Sequence, residues 1–236
     1  MDERRRACLD AMGIVRWVRR APPQGDGVVR EESSPETPVS PRPSAEPAEG
    51  VASLDWEALR QAVEGCRACG LCDSRSRTVF GVGDEQASLM IVGEAPGAEE
   101  DRQGIPFVGR AGELLTNMLR AIGLAREQVY IANILKCRPP GNRNPTVEEA
   151  AACAPWLRRQ IELVSPQVIL AVGGVAAHNL LATDESVGRL RRDLHRLPDG
   201  EVPVLVTYHP AYLLRRPEEK AKAWADLQKL HGLLHG

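Results

Sequence analysis

Cys66, Cys69, Cys137 and Cys153 are the residues of this chain best suited to hold a metal. Two residues separate Cys66 from Cys69, the bite of a chelating pair, and Cys137 and Cys153 follow well downstream with fifteen residues between them. Four thiolates gathered from two distant segments suit either a zinc ion or an iron–sulfur cluster, and spacing does not choose between them. Cys153 also has a plainer reading, as a small core residue on a helix with Ala150, Ala151 and Ala152. Cys72, at a second two-residue spacing from Cys69, and Cys8 read as bystanders, with a spare ligand among them as the alternative. The metal reading rests on a reducing compartment, where six cysteines are poor candidates for three disulfides. The first ten residues turn polar before any apolar region develops, so no secretory signal is expected and the location should be cytoplasmic. Val168 to Ala177 is the longest near-continuous apolar run, far short of the roughly 18 residues of a membrane helix.

Several other residues could act on a flat ligand. Phe107 stands in Gly104-Ile-Pro-Phe-Val-Gly109, a rigid loop from which an aromatic ring can stack, although an inward-packed ring fits the sequence equally well. Asn133 ends an apolar run, where its amide offers a donor and an acceptor to one edge of a base, or simply caps a strand. His209, held by Pro210, could donate a hydrogen bond to a leaving anion; a lone histidine is more often structural. Glu94, Glu99, Glu100 and Asp101 make an acidic stretch from which one carboxylate could position water, the rest being a solvated face or a helix start. Arg138 and Arg143, then Arg189, Arg191, Arg192 and Arg196, then Arg215 and Arg216 form three groups suited to phosphate contacts.

The elements that must position these residues are legible from Leu54 onward. Ser88–Val92, Val129–Asn133, Gln167–Val172 and Val202–Tyr208 are apolar, β-branched and bounded by Gly, Asn or Pro, as buried parallel strands are. Asp55 to Val63, Ala111–Ile122, Thr146–Leu163, Val175–Leu181 and Pro217–Leu230 read as helices. The alternation predicts a three-layer α/β/α sandwich around a central, mainly parallel four-stranded sheet. Ligands of such sheets bind beyond the carboxyl ends of the strands. That edge collects Gly93-Glu94-Ala95-Pro96-Gly97, Asn133, Gly173-Gly174 and Tyr208-His209-Pro210.

Three segments are expected: a short N-terminal peptide, 1–20; a Pro-rich disordered linker, 21–53; and one folded domain, 54–236. The net charge of −2 hides a contrast, since residues 1–20 hold six arginines against three acids and residues 21–50 hold two against six. Seven of the eighteen prolines fall in 21–50, with only three valines as large apolar residues, too little to offset the entropy of ordering.

Gly93-Glu-Ala-Pro-Gly97 with Glu100-Asp101, Pro106-Phe-Val-Gly109, Asn133-Ile-Leu-Lys-Cys137-Arg-Pro-Pro140 and His209-Pro-Ala-Tyr-Leu-Leu-Arg215, in this order, resemble the family 4 uracil-DNA glycosylases over about Leu54 to Leu230. The resemblance implies hydrolysis of the N-glycosidic bond of uracil in DNA, leaving an abasic site for base excision repair. It implies a structural [4Fe–4S] cluster on Cys66, Cys69, Cys137 and Cys153. Phe107 would stack on the extruded uracil, Asn133 would read its polar edge and His209 would stabilise the departing base. Gly93, Glu94 and Ala95 would line the pocket, with Glu94 and Glu100 as acidic candidates for the catalytic step, and Arg143, Arg191, Arg192 and Arg215 would meet the DNA backbone. Ala95 has no side chain to activate water where the related family 1 enzymes carry an aspartate, so the general base is unassigned. A subgroup that binds uracil covalently uses a histidine in an inserted loop; Arg138 to Pro145 has none, and turnover is expected.

Residues 9–22 resemble the N-terminal tail of the psi subunit of the bacterial clamp-loader assembly in their order of Leu, a large aliphatic, Gly-Ile, Trp, Arg and Pro. A replisome contact through that peptide is implied. The alternatives are a helix that docks on its own domain, or an accidental likeness. The enzyme is expected to be a monomer. The competing functional class is a non-catalytic iron–sulfur module for DNA binding or redox sensing. A phosphate-loop enzyme built on Gly93 to Gly97 is disfavoured, because that loop lacks the spaced-glycine and Gly-Lys-Ser/Thr patterns.

Overall fold

The structure, a computed structural model, describes residues 50–236 apart from 199 and 201. The N-terminal peptide and the linker up to residue 49 lie outside the described residues. Ordered packing begins ahead of the expected boundary at Leu54. The 3-10 turn Val51–Ser53 buries Val51, and Arg159 Nε donates to the Leu54 carbonyl at 2.7 Å.

In chain order the elements are α1 (Trp56–Glu64), β1 (Val82–Gly83), β2 (Leu89–Gly93), α2 (Ala98–Gln103), α3 (Arg110–Ala121), β3 (Tyr130–Asn133), α4 (Val147–Val164), β4 (Val168–Val172), α5 (Gly174–Leu181), α6 (Val187–Leu190), β5 (Leu194–Arg196), β6 (Pro203–Thr207), α7 (Pro210–Arg215) and α8 (Lys220–His235). The sheet has six strands in the order β1-β3-β2-β4-β6-β5. The four expected strands, β3, β2, β4 and β6, form its parallel centre. Two very short strands, β1 and β5, add antiparallel edges that the sequence did not reveal.

Both faces of the centre are covered, which is why its strands read as continuous apolar runs rather than alternating ones. One face carries Met90, Val92, Ala132, Ile169, Ala171, Val204 and Val206 against α4, α5 and Leu190. The other carries Leu89, Ile91, Ile131, Leu170, Val172 and Leu205 against α3, α7 and α8. A third cluster, with Leu59, Val63, Leu71, Phe80, Leu135 and Trp156, surrounds Cys137 and Cys153 beside the sheet. Asp55 caps α1 through the Ala58 amide, and Thr146 with Glu149 forms a capping box on α4, so two of the predicted helices start where their caps stand. The chain steps outward from β2 to β3 and returns past β2 to β4. The strand order therefore reverses between β2 and β4, the place where doubly wound sheets open a ligand crevice.

Candidate active site

Gly93, the last residue of β2, is paired with Asn133, the last of β3, and Phe107 closes over both. A Cβ on Gly93 would lie 2.4 Å from Asn133 Oδ1 and 2.6 Å from Phe107 Cζ, so only glycine leaves room for both side chains at this strand end. Asn133 is 2% exposed, and its Oδ1 has no hydrogen-bond partner. A buried acceptor left unpaired costs about 1–3 kcal/mol, which a ligand N–H would recover.

Phe107 has a left-handed backbone, φ 54°, unusual for an aromatic residue. Its neighbours hold it there. Glu100 accepts from the amides of Val108 at 3.1 Å and Gly109 at 3.4 Å through one oxygen, and from Gly97 at 3.1 Å through the other. Arg126 donates to the Pro106 carbonyl. Gly112 packs so closely on the Phe107 carbonyl that a Cβ would stand 1.7 Å from its oxygen. Past Glu94 the acidic stretch is thus the first turn of helix α2, one of the two readings expected of it. Glu99 pairs with Arg102, the carboxylate of Asp101 takes the Ser76 amide, and Glu100 bridges two turns of main chain. Glu94 is half-buried, and burial raises its carboxyl above the usual range. Ala95 packs on the cysteine side of the same loop.

The ring of His209 stacks on that of Phe107, centroids 5.7 Å apart and 30° between planes. His209 caps α7, where its Nδ1 accepts from the Ala211 amide at 3.1 Å, leaving Nε2 to carry the proton of the neutral ring. Burial first, then the positive charge of Arg215, lowers its pKa to about 4. The fourth strand end, Gly173, lies under His209: a Cβ there would be 3.0 Å from the His209 Cβ. Four strand ends expected at one edge are therefore joined by contacts.

Arg191, expected on the DNA backbone, is committed elsewhere. It pairs with the fully buried Asp226 at 2.7 Å, donates to the Lys222 carbonyl and lies over the Tyr208 ring at 5.7 Å. Asp226 also accepts from Thr207 Oγ1 at 2.8 Å, so this network holds the end of β6 from which His209 projects. A phosphate contact by Arg191 would have to compete with this network, which occupies its Nε and Nη2. Arg192 and Arg215 are exposed. Arg143 is exposed too, though it grips Glu149 at 2.6 Å at the start of α4. Nearby, Arg138 Nε donates to Asn142 Oδ1 at 2.7 Å.

Cys66, Cys69, Cys137 and Cys153 line one small cavity, together with Cys72, Lys136 and Trp156. Among the described residues no three His, Cys, Asp or Glu side chains gather as a site for a single metal ion. Donors already point at the sulfurs: Arg75 Nη1 to Cys137 Sγ at 3.1 Å, the Lys136 amide to Cys153 Sγ at 3.3 Å and the Ala68 amide to Cys66 Sγ at 3.5 Å. The buried indole Nε1 of Trp156 has no partner. Burial raises the thiol pKa of Cys69 and Cys137, and that of Cys153 to about 12, so these groups would ionise only against strong positive charge. Arg75, Trp156, Lys136, Arg126 and Asp226 were missed in the sequence, since nothing local marks a side chain whose partner lies far along the chain.

The family model of the Uracil DNA glycosylase superfamily matches residues 80–228. The chain is similar to the "Type-4 uracil-DNA glycosylase" of Archaeoglobus fulgidus, 44% identical over 171 residues, covering 70% of this chain and 86% of the relative. The Thermotoga maritima protein of the same description is 46% identical over 160 residues, covering 67% and 83%. That of Pyrobaculum aerophilum is 40% identical over 185 residues, covering 76% and 94%.

Proposed function

The chain belongs to the uracil-DNA glycosylase superfamily, and we propose that it acts as a type-4 member, a DNA-repair hydrolase that releases uracil from DNA and leaves an abasic site. The observation that carries this reading is the buried, unpartnered Asn133 Oδ1 facing the Phe107 and Gly93 contact. Uracil presents N3–H beside O4. An asparagine amide matches that pair, its Oδ1 accepting from N3–H and its Nδ2 donating to O4. Cytosine, with an acceptor at N3 and an amine at C4, reverses both.

Phe107 stacks on the extruded base, offsetting part of the few kcal/mol that extrusion costs. Breaking the bond between N1 of the base and C1′ of the sugar leaves negative charge on uracil and positive charge on deoxyribose. His209, neutral and with its proton on Nε2, donates to the base as that charge develops. Phosphates of the bound strand favour the sugar cation, and Arg192, Arg215 and the exposed face of Arg143 are the backbone contacts. Glu100 serves as a positioning residue, because both its oxygens already hold main-chain amides. Glu94 is the remaining carboxylate of the pocket and the one to orient water. Gly93 and Ala95 line the uracil site with main-chain atoms.

The cysteine cavity fits a [4Fe–4S] cluster. Its thiols ring a space rather than meet at a point, N–H groups already aim at three of the sulfurs, and Trp156 offers one more donor. When bound, the group supplies a cross-link between the loop of Cys66 and Cys69 and the segment leaving Asn133, with no electron transfer in the hydrolysis. Residues 9–22 would tether the enzyme to a clamp loader in the cytoplasm. A pull-down with residues 1–25 that recovers no clamp-loader component from an extract containing the replisome contradicts that tether. Release of free uracil from a uracil-containing oligonucleotide tests the activity itself.

A further inference from the structure

Lys136 is 1% exposed, a buried cation that the proposed reaction does not use. Its Nζ donates to the Asn133 carbonyl at 2.9 Å and to Gln160 Oε1 at 2.6 Å. Gln160 in turn donates to the Phe80 carbonyl at 2.9 Å and the Tyr130 hydroxyl at 3.1 Å. The main chain of Lys136 is equally engaged, its amide on Cys153 Sγ at 3.3 Å and its carbonyl accepting from Val79 at 2.8 Å. One residue thus meets the strand end that carries Asn133, helix α4 and the cysteine cavity. Burying an ammonium is expensive, and an apolar side chain of similar length would fill the same space at lower cost. The charge therefore calls for a reason.

We propose that Lys136 is a positioning residue for base reading, which locks the main chain of Asn133 to helix α4 so that the Asn133 amide faces the uracil edge. This rests on Asn133 as the base reader. The geometry supports it because Asn133 is the last residue of its strand. Beyond it the amides of Ile134 and Leu135 follow the neighbouring strand by donating to Gly93 and Glu94, at 2.9 and 3.1 Å. The Asn133 carbonyl points the other way, and the lysine holds it from that side. The Asn133 Oδ1 has no hydrogen-bond partner to fix it, so its aim leans on these main-chain restraints.

The test compares wild type, Lys136→Met, Gln160→Leu and Asn133→Ala, each with its iron and sulfide content measured, for steady-state cleavage and for inhibition by free uracil. Lys136→Met should raise the Ki of uracil about tenfold, the loss expected for one charge-assisted hydrogen bond, while affinity for uracil-free duplex stays unchanged. Gln160→Leu, which keeps every cysteine and its N–H donors, should shift the same Ki in the same direction. A lysine that served stability alone would lower the active fraction, and hence kcat, without moving Ki. An unchanged Ki in either folded variant overturns the proposal, and Gln160→Leu decides should Lys136→Met fail to fold. Failure of the underlying reading looks different: no uracil release by wild type, or a normal Ki in Asn133→Ala.

Discussion

The Nδ1 of His209 accepts a hydrogen bond from the Ala211 amide at 3.1 Å, fixing which nitrogen of the ring can donate. Its folded pKa, about 4, lies below the ordinary 6.5, so the ring stays neutral across the physiological range. The rate should show no acid limb centred near 6.5. Between those two values the unfolded chain binds the proton that the folded one refuses. The contribution of His209 to stability is therefore complete above pH 6.5 and is lost as pH falls toward 4. A pH–rate profile of kcat/KM that breaks near 6.5, and loses that break in His209→Gln, contradicts the neutral donor. Loss of the donor itself should cost about 10²–10³ in kcat.

Gly93→Ala should cripple the pocket while leaving the fold intact. The added methyl would stand 2.4 Å from Asn133 Oδ1 and 2.6 Å from the Phe107 ring, so one of the two must leave its place. Cleavage should fall by at least about tenfold, with a melting temperature within a few degrees of wild type. Full activity in this variant would mean that Phe107 and Asn133 need not both keep their places beside Gly93.

Asp226→Ala removes the anion from beneath Arg191 and Thr207. Leaving the partly buried Arg191 guanidinium and Thr207 hydroxyl without this acceptor should destabilise the domain by about 1–3 kcal/mol, read by denaturant unfolding. Because Thr207 stands two residues before His209, cleavage should weaken in the surviving folded protein. Arg192→Ala, in contrast, should leave stability alone and reduce the salt sensitivity of DNA binding.

The purified protein should be brown, with iron and acid-labile sulfide in equal amounts. Cys153→Ser should lose colour and thermal stability together, since a group held by both segments stabilises only the folded chain. Stoichiometric zinc in a colourless, active protein would refute the iron–sulfur assignment.

The four central strands were legible because burial on both faces writes them as unbroken apolar runs, and the helix starts at Asp55 and Thr146 because caps are local. A helix start was one of two readings of the acidic stretch, but nothing local showed that Glu100 holds the amides of Gly97, Val108 and Gly109. Strands of two and three residues carry too little pattern to read. Phe107, Asn133 and His209 could be named because they sit in motifs beside strand ends. The networks of Arg191 and Lys136 went unread for the same physical reason: the partners of a long cationic side chain, such as Asp226 and Gln160, stand 35 and 24 residues away.

The central claim is cleavage at uracil by a pocket that reads through Asn133. Its direct measurement incubates the protein with an oligonucleotide holding one uracil, follows free uracil, and then applies alkali. Wild type should release uracil and yield an alkali-dependent break at that position alone, a cytosine control should stay whole, and Asn133→Ala should lose most of the activity while keeping its iron. An unbroken uracil strand after incubation with protein that carries its full complement of iron would contradict the account.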